Sequence, residues 1–282
     1  MFAFAWLIPL LPLLAATWIA GTYVLLGNRG EAGERWTARV AVGAAALSLG
    51  LAVLTGIQAL VMGAPGQVRV GSWLVSGDLR VDIAFTLDGL GLALLLLVAF
   101  VALITLRFSV NYLHREAGFP RFFLLLSLFM GAMELIVMAG NAVLVFIGWE
   151  LAGVASYLLI AYNFERPVAV TNAQRAFIAN RIGDAGFLLG ISFAYLWMGG
   201  GDWPLRPDQA LDPIKGDLIA LAFLLQPWPS RRNCPLPPGS PAPWRDPPPP
   251  APSSMVPSWC MPGFTCSSVW SPCWRRPRPS PA

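Results

Sequence analysis

The chain has 282 residues, of which 56% are hydrophobic and 12% are charged. Soluble globular domains carry about 25% charged residues, so this composition excludes an ordinary soluble domain and indicates a membrane protein. The net charge of +4 does not indicate a nucleic-acid partner, because the basic residues are scattered between the apolar runs. Basic residues in such positions determine the orientation of a membrane protein. The composition changes after Leu225, since the last 57 residues hold 18 of the 26 prolines and all four cysteines.

Six apolar runs reach the roughly 20 residues that a helix needs to cross the hydrocarbon core. They cover residues 3–26, 38–62, 88–112, 121–141, 143–162 and 172–199. A seventh run begins at Asp217 and breaks off, because Pro227 and Pro229 remove backbone donors. The predicted fold is therefore an all-α integral membrane protein with six full transmembrane helices, a broken seventh and a disordered Pro-rich tail over residues 226–282.

A stretch between the second and third runs, residues 67–85, mixes apolar and polar residues around a Ser-Gly-Asp break, which is typical of a β-hairpin. We expect it outside the bilayer, because an open sheet edge cannot face lipid. If the N-terminus is outside, eight arginines lie in inward loops against four basic residues in outward ones. This asymmetry predicts an outside N-terminus, with the hairpin on the periplasmic or equivalent side.

Four ionisable residues lie within the apolar runs, where a charge costs at least about 2.5–3.5 kcal/mol and needs a partner or a water-filled cavity. They are Glu134, Glu150, Arg181 and Asp184. Glu150 lies deep in its run among small residues, and burial favours the protonated form of a carboxyl group, which lets it exchange protons near neutral pH. Arg181 and Asp184 form either a packing ion pair or part of a charged pathway. Glu134 either snorkels to an interface or has a function.

Redox chemistry within this chain is not expected. His114 is the only histidine, and one histidine cannot ligate a haem or a metal by itself. The sequence contains no motif for NAD, flavin or an iron–sulfur cluster. We therefore expect no cofactor in this chain.

Three segments resemble a known family. The opening LIPLLPLL, the stretch from Leu87 to Phe123, and the run from Val145 to Ile191 with its GWExxGxxSYLLI and RxGD motifs are similar to the antiporter-like subunit L family of the proton-pumping NADH:quinone oxidoreductase, respiratory complex I. The resemblance covers residues 1–225. It implies a proton-channel subunit whose NADH, FMN, iron–sulfur clusters and quinone belong to partner subunits, and whose partners are other membrane subunits and the lipid bilayer.

The resemblance also implies roles for three residues. Glu150 corresponds to the glutamate of the GWE motif, and Asp184 with Arg181 belongs to the charged chain along the membrane midplane, so all three are expected to relay protons. The family's lysine on helix seven has no counterpart, since Lys215 is placed in the loop before that helix. Glu134 occupies a position that is apolar in the family pattern.

The tail is interpreted as an out-of-frame product. Codons can be chosen for Pro227–Pro235 so that the same DNA, read from the third base of the Pro227 codon, encodes MAKSAQLP, the family's lysine motif. Later segments read in this frame can encode MEGP and GALMVHAGVYLL. A lost nucleotide near the codons for Leu225 and Gln226 explains all three matches, and it makes the truncated chain non-functional as it stands. The alternative functions are the large subunit of a multisubunit cation/proton antiporter and that of an inorganic-carbon uptake complex.

Overall fold

The computed structural model describes residues 2–25, 31–76, 79–116, 118–198 and 213–225. The predicted tail, residues 226–282, lies outside this part of the chain. The described part contains a short 3-10 helix at Phe2–Phe4, seven α-helices and one antiparallel strand pair. These elements are α1 (Leu7–Leu25), α2 (Glu31–Met62), β1 (Gly66–Ser76), β2 (Leu79–Leu87), α3 (Gly89–Tyr112), α4 (Phe119–Met138), α5 (Ala142–Ile160), α6 (Pro167–Met198) and α7 (Pro213–Leu225).

Five helices of the described chain, α1 to α5, are long and apolar enough to cross a membrane. Large apolar side chains remain exposed on them, among them Trp18, Leu60 and Phe100. In a bilayer these faces contact lipid instead of water. The chain is therefore a mostly helical integral membrane protein, as its composition predicts. The sixth predicted span corresponds to α6, which is 32 residues long but carries Arg175, Arg181 and Asp184.

Two helices begin at different places from those predicted by hydropathy. α2 starts at Glu31, seven residues before the apolar run, because polar residues continue a helix beyond the hydrocarbon as readily as apolar ones. α7 starts at Pro213, so Lys215 lies in its first turn and the prediction of a loop at this position is wrong. Proline is well suited to a helix start because its missing N–H is not needed there.

The chain divides into two compact units, which are described separately. The first comprises the residues through Ser156 together with 193–211. Within it, α1 packs on α2 and α4, α2 packs on α3 and α4, and α3 packs on α4. α2 buries a stripe spaced three and four residues apart, as helix contacts require. The stripe consists of Ala38, Ala41, Ala45, Ser48, Ala52 and Thr55.

One end of this bundle is formed by the hairpin. β1 and β2 pair from Gly66↔Leu87 to Ser76↔Leu79, with register shifts between Arg69 and Gly71 and between Ser72 and Leu74, and β1 contacts the 3-10 helix near the N-terminus. The hairpin predicted over residues 67–85 is confirmed by the strand pair, and Gly77 and Asp78 between the strands lie outside the described residues.

The hairpin is tied to the loop between α4 and α5. Gly140 N–H donates to Ala84 O at 2.8 Å, and the Gln67 side-chain amide donates to Gly140 O at 3.1 Å. A Cβ at Gly140 would lie 2.7 Å from Ala84 O, so only glycine fits this approach. The hairpin, the C-terminal end of α4 and the N-terminal end of α5 therefore meet at one end of the bundle.

The opposite end of the first unit is polar. His114, in the loop after α3, lies 3.0 Å from Glu34 in the first turns of α2, measured from Nδ1 to Oε2. Glu34 Oε2 also accepts the backbone N–H of Arg115 at 3.4 Å. α2 and α3 are thus antiparallel, and the basic residues Arg35, Arg39 and Arg121 belong to the end away from the hairpin.

The second unit comprises Tyr157–Ser192 and the residues from Asp212 onward. In it, Tyr157 at the end of α5 packs on Phe177 of α6 with ring centroids 5.1 Å apart. Phe187 of α6 meets Phe223 of α7 edge to face at 5.3 Å, and a Cβ at Gly190 would lie 3.0 Å from the same ring. Aromatic contacts therefore hold α6 against its neighbours within this unit.

Candidate functional site

Glu150 is placed by the start of α5. The Asn141 side chain accepts the Leu144 N–H at 2.9 Å, which caps the first turn of the helix. Glu150 follows Ala142 by eight residues, so its backbone lies about 12 Å below the hairpin end of the bundle. A 19-residue helix is about 28 Å long, which places this half-buried carboxyl group near the middle of the span.

The small residues around Glu150 form only part of the contact predicted from the sequence. Gly148 lies directly against α4, where a Cβ would be 2.8 Å from Ile136 Cγ1 and 3.1 Å from Ala132 O. Ala155 is fully buried, whereas Gly153 has nothing within 4 Å of its Cβ position. Close approach of α4 and α5 therefore depends on Gly148, which is two residues before Glu150.

Arg181 and Asp184 form the predicted pair on α6. Arg181 Nε lies 3.7 Å from Asp184 Oδ2, and the arginine side chain is 41% exposed while that of Asp184 is 6% exposed. The guanidinium also lies over the Phe177 ring, 4.7 Å from its centroid. A cation over an aromatic face next to a buried carboxylate stabilises that charge in an apolar helix.

Glu134 does not snorkel to an interface, so that alternative is wrong. It is completely buried on α4, and its Oε1 accepts the hydroxyl of Ser48 on α2 at 2.7 Å. Sequence reasoning did not identify Ser48, which is 86 positions away. Its place in the small-residue stripe of α2 is the signal that could have found it, because a hydroxyl in such a stripe faces a neighbouring helix.

The described structure brings together Arg181 with Asp184, and Glu134 with Ser48. Glu150 belongs to the first unit, and the Arg181–Asp184 pair belongs to the second. The proton-relay roles of these three residues stay predictions. Within the described ranges, no three His, Cys, Asp or Glu side chains cluster closely enough to hold a metal ion.

Two family models match the chain. Residues 73–123 match the model described as NADH-ubiquinone oxidoreductase (complex I), chain 5 N-terminus. Residues 139–205 match the model described as NADH:quinone oxidoreductase/Mrp antiporter, transmembrane. The second match includes Glu150, Arg181 and Asp184, whereas Glu134 and Ser48 lie outside both.

The curated proteins that resemble the chain include several named subunit 5 or chain 5 of NAD(P)H-quinone oxidoreductase. The chain is 34% identical over 222 residues to the chloroplastic NAD(P)H-quinone oxidoreductase subunit 5 of Chlorokybus atmophyticus, which is 78% of this chain and 33% of the relative. It is 38% identical over 197 residues to that of Nephroselmis olivacea, with 69% and 30% covered. It is 31% identical over 231 residues to chain 5 of a Picosynechococcus species, with 79% and 34% covered. The chain thus spans about a third of these relatives.

Solved structures share the fold. A chain of the membrane-bound sulfane sulfur reductase, an archaeal respiratory membrane complex, superposes with a TM-score of 0.67 at 18% identity, covering 80% of this chain and 44% of the other. A chain of the Mrp complex from a Dietzia species superposes with a TM-score of 0.57 at 21% identity, covering 79% and 24%. Residues 73–123 and 139–205 therefore match the antiporter-like membrane subunit family of complex I chain 5 and its relatives.

Proposed function

We propose that this chain is the N-terminal part of a proton-translocating membrane subunit of an NAD(P)H:quinone oxidoreductase. The observation that carries the proposal is the carboxyl group of Glu150, half-buried near the middle of α5 and within the segment that matches the oxidoreductase/antiporter model. An ionisable side chain inside a transmembrane segment is energetically unfavourable. Such residues are therefore rare, and those that are present usually have a function.

Arg181 and Asp184 are proposed to continue the same pathway on α6. Their ion pair provides a fixed positive charge beside a buried carboxylate, which is the arrangement that a proton relay uses to bias where a proton resides. For this role α6 has to cross the membrane. We propose α6 as a sixth span. The ion pair between Arg181 and Asp184 and the cation–π contact of Arg181 with Phe177 stabilise the charges that lower the hydropathy of this helix.

The hairpin and the N-terminus are proposed to face the outer side of the bacterial inner membrane. The support is the segregation of charge along the first unit, since Arg35, Arg39, Arg115 and Arg121 belong to the end opposite the hairpin. Arginine-rich loops remain on the cytoplasmic side. The partners proposed are other membrane subunits, because the named relatives are subunits of larger assemblies.

The second candidate is a subunit of a cation/proton antiporter. One observation favours it: the model that matches residues 139–205 names Mrp antiporters together with the oxidoreductase. The two candidates differ in their requirement for an electron donor. An oxidoreductase subunit supports proton uptake only when NAD(P)H and quinone turn over, whereas an antiporter exchanges protons against an imposed sodium gradient without them.

The tail is proposed to arise from a lost nucleotide near the codon for Gln226. The support is the order of the three decoded motifs in residues 227–267, which matches the order in the family. In this proposal the 282-residue chain is inactive, and the working subunit continues from α7 in the restored frame.

The test is proton uptake into inverted membrane vesicles driven by NADH, with a gene in which the frame after Leu225 is restored. Glu150→Gln keeps the shape of the side chain and removes its titrating proton, so uptake should fall to background while the complex still assembles on a native gel. Glu165→Gln is the matched control, since Glu165 is an exposed carboxylate in the loop before α6. Normal uptake by an assembled Glu150→Gln complex would refute the relay.

A further inference from the structure

Glu134 is a buried carboxyl group that the proposed relay does not use. It lies on α4, is 0% exposed, and faces α2, where Ser48 is also 0% exposed. The Ser48 hydroxyl lies 2.7 Å from Glu134 Oε1, while Oε2 has no hydrogen-bond partner among the described residues. An ionised carboxylate can accept about four hydrogen bonds, and here a single one is provided.

No counter-charge faces Glu134 from the helices packed around it. On α1 the one titratable side chain is Tyr23. On α2 the charged residues all precede Ser48 by at least nine positions, about 13 Å along the axis, and end with Arg39. On α3 the one charged residue is Arg107, which is exposed, and on α4 it is Arg121, thirteen residues before Glu134.

The remaining neighbours of α4 are α5 and the hairpin. α5 meets the face of α4 that carries Ala132 and Ile136, which is opposite to Glu134 because residues two apart on a helix point about 200° apart. Glu150 follows Gly148, the contact residue on α5, by two positions, so by the same geometry it points away from α4. On β2, Asp82 is paired with Arg69 at 3.6 Å and Arg80 at 3.8 Å.

An apolar cluster closes the hairpin side of the pair. Ala52 and Met138 follow Ser48 and Glu134 by four residues, one turn nearer the hairpin, and both belong to a buried cluster with Phe85, Leu95 and Ile8. Buried apolar side chains therefore separate Glu134 from the hairpin end of the described bundle. A carboxylate held in such surroundings without a cation is unfavourable, and binding a proton removes the charge.

We infer that Glu134 and Ser48 form a proton-binding site between α2 and α4, in which Glu134 is held as a neutral carboxylic acid. The proton resides on Oε2, and Oε1 is the carbonyl oxygen that accepts the Ser48 hydroxyl. Release of this proton requires α2 and α4 to separate far enough for water to solvate the carboxylate. The site therefore links the protonation of Glu134 to the packing of these two helices.

The test is infrared spectroscopy of the full chain reconstituted in liposomes, with glutamate labelled by ¹³C. A neutral carboxylic acid shows a C=O stretching band that an ionised carboxylate lacks. Glu134→Gln should abolish one such band at neutral pH. Glu150→Gln and the exposed control Glu116→Gln should both leave that band in place. If no carboxylic-acid band is lost in Glu134→Gln, Glu134 is ionised and the inference fails.

Ser48→Ala supplies a second measurement that a purely structural role does not predict. A hydrogen bond to the C=O lowers its stretching frequency, so removal of the Ser48 hydroxyl should shift the Glu134 band to higher frequency without abolishing it. An unshifted band would overturn the assignment of Oε1 as acceptor. Titration with sodium chloride at constant pH should leave the band intact, and its loss would mean that the site binds a metal cation instead.

Neither measurement requires electron transfer or pumping. A failure here therefore leaves the proposed function untouched, and loss of proton uptake in Glu150→Gln leaves the Glu134 site untouched. If Glu134→Gln does not fold, Glu134→Leu offers a second neutral variant that removes the acid from the same apolar surroundings.

Discussion

Asn141 joins the hairpin to the membrane helices through two atoms of one buried amide. Its Nδ2 donates to the backbone carbonyl of Asp82 on β2 at 2.6 Å, and its Oδ1 accepts the Leu144 N–H at 2.9 Å. The residue is 0% exposed. The same side chain thus begins α5, which carries Glu150, and fixes the sheet that covers this end of the bundle.

Asn141→Ala should destabilise the protein, because it leaves a buried carbonyl and a helix-end N–H without their side-chain partner. Each group left unsatisfied costs about 1–3 kcal/mol. The free energy of unfolding, measured by denaturant titration in mixed micelles, should fall by about 2–6 kcal/mol, the sum over the two groups. Asn163→Ala is the control, because Asn163 lies exposed after α5. Equal stability of the two variants would contradict a structural role for the Asn141 amide.

Two glycines on α5 should respond with opposite signs to alanine. Gly148→Ala places a methyl group 3.1 Å from Ala132 O and 2.8 Å from Ile136 Cγ1, so α4 and α5 have to move apart, at a cost of about 1–3 kcal/mol. The methyl group of Gly153→Ala has nothing within 4 Å, so this variant should be about 0.5–1 kcal/mol more stable, because alanine loses less backbone entropy on folding than glycine. Thermal unfolding of both variants in detergent checks this difference in sign. A stabilised Gly148→Ala would exclude a tight contact at this position.

The spans and the hairpin could be predicted from the sequence because both depend on local patterns. A continuous apolar run predicts a membrane helix, and alternation around Ser76 and Gly77 predicts a strand pair. Helix starts were less accurate, because hydropathy marks where hydrocarbon begins and not where helical hydrogen bonding begins. Glu31 and Lys215 are both helical for this reason.

The surroundings of individual charges were only partly predictable. Arg181 and Asp184 are three residues apart on one helix, so their contact follows from helix geometry. The partner of Glu134 comes from another helix, 86 positions away, and no local pattern determines which residue of α2 faces it. The same limit applies to Asn141 and Asp82, 59 positions apart, whose contact depends on where the hairpin docks.

Arg181 and Asp184 should be energetically coupled. Arg181→Gln and Asp184→Asn each remove one charge, and the double variant removes both, so a double-mutant cycle isolates the interaction between them. We expect a favourable coupling of about 0.5–1 kcal/mol, at the low end of the range for contacting residues. The Nε–Oδ2 distance of 3.7 Å is longer than a hydrogen bond, which places the expected coupling at this low end. Additive effects of the two substitutions on the unfolding free energy would show that the ion pair contributes nothing.

The hairpin and the loop after α3 should lie on opposite sides of the membrane. Ser72→Cys on β1 and Glu116→Cys after α3 are both exposed positions at opposite ends of the first unit. In a background with the four tail cysteines changed to serine, an impermeant maleimide should label Ser72→Cys in intact spheroplasts and Glu116→Cys only in inverted vesicles. Labelling of both from one side would refute a membrane crossing by α3, and labelling with the sides exchanged would reverse the proposed orientation.

The frame-change proposal makes a prediction at the nucleotide level. Serine is encoded either by TCN or by AGT and AGC, and the lysine of the decoded motif appears only if the codon for Ser230 begins with AG. With CCA for Pro229, a TCN codon would give isoleucine in the shifted frame and remove the lysine. We therefore expect AGT at this position and an additional nucleotide on resequencing near the codon for Gln226. The printed amino-acid sequence permits both serine codon classes, so the DNA decides independently of the protein. A TCN codon for Ser230 would rule out the lysine motif, and with it the proposal that the working subunit continues from α7 in the restored frame.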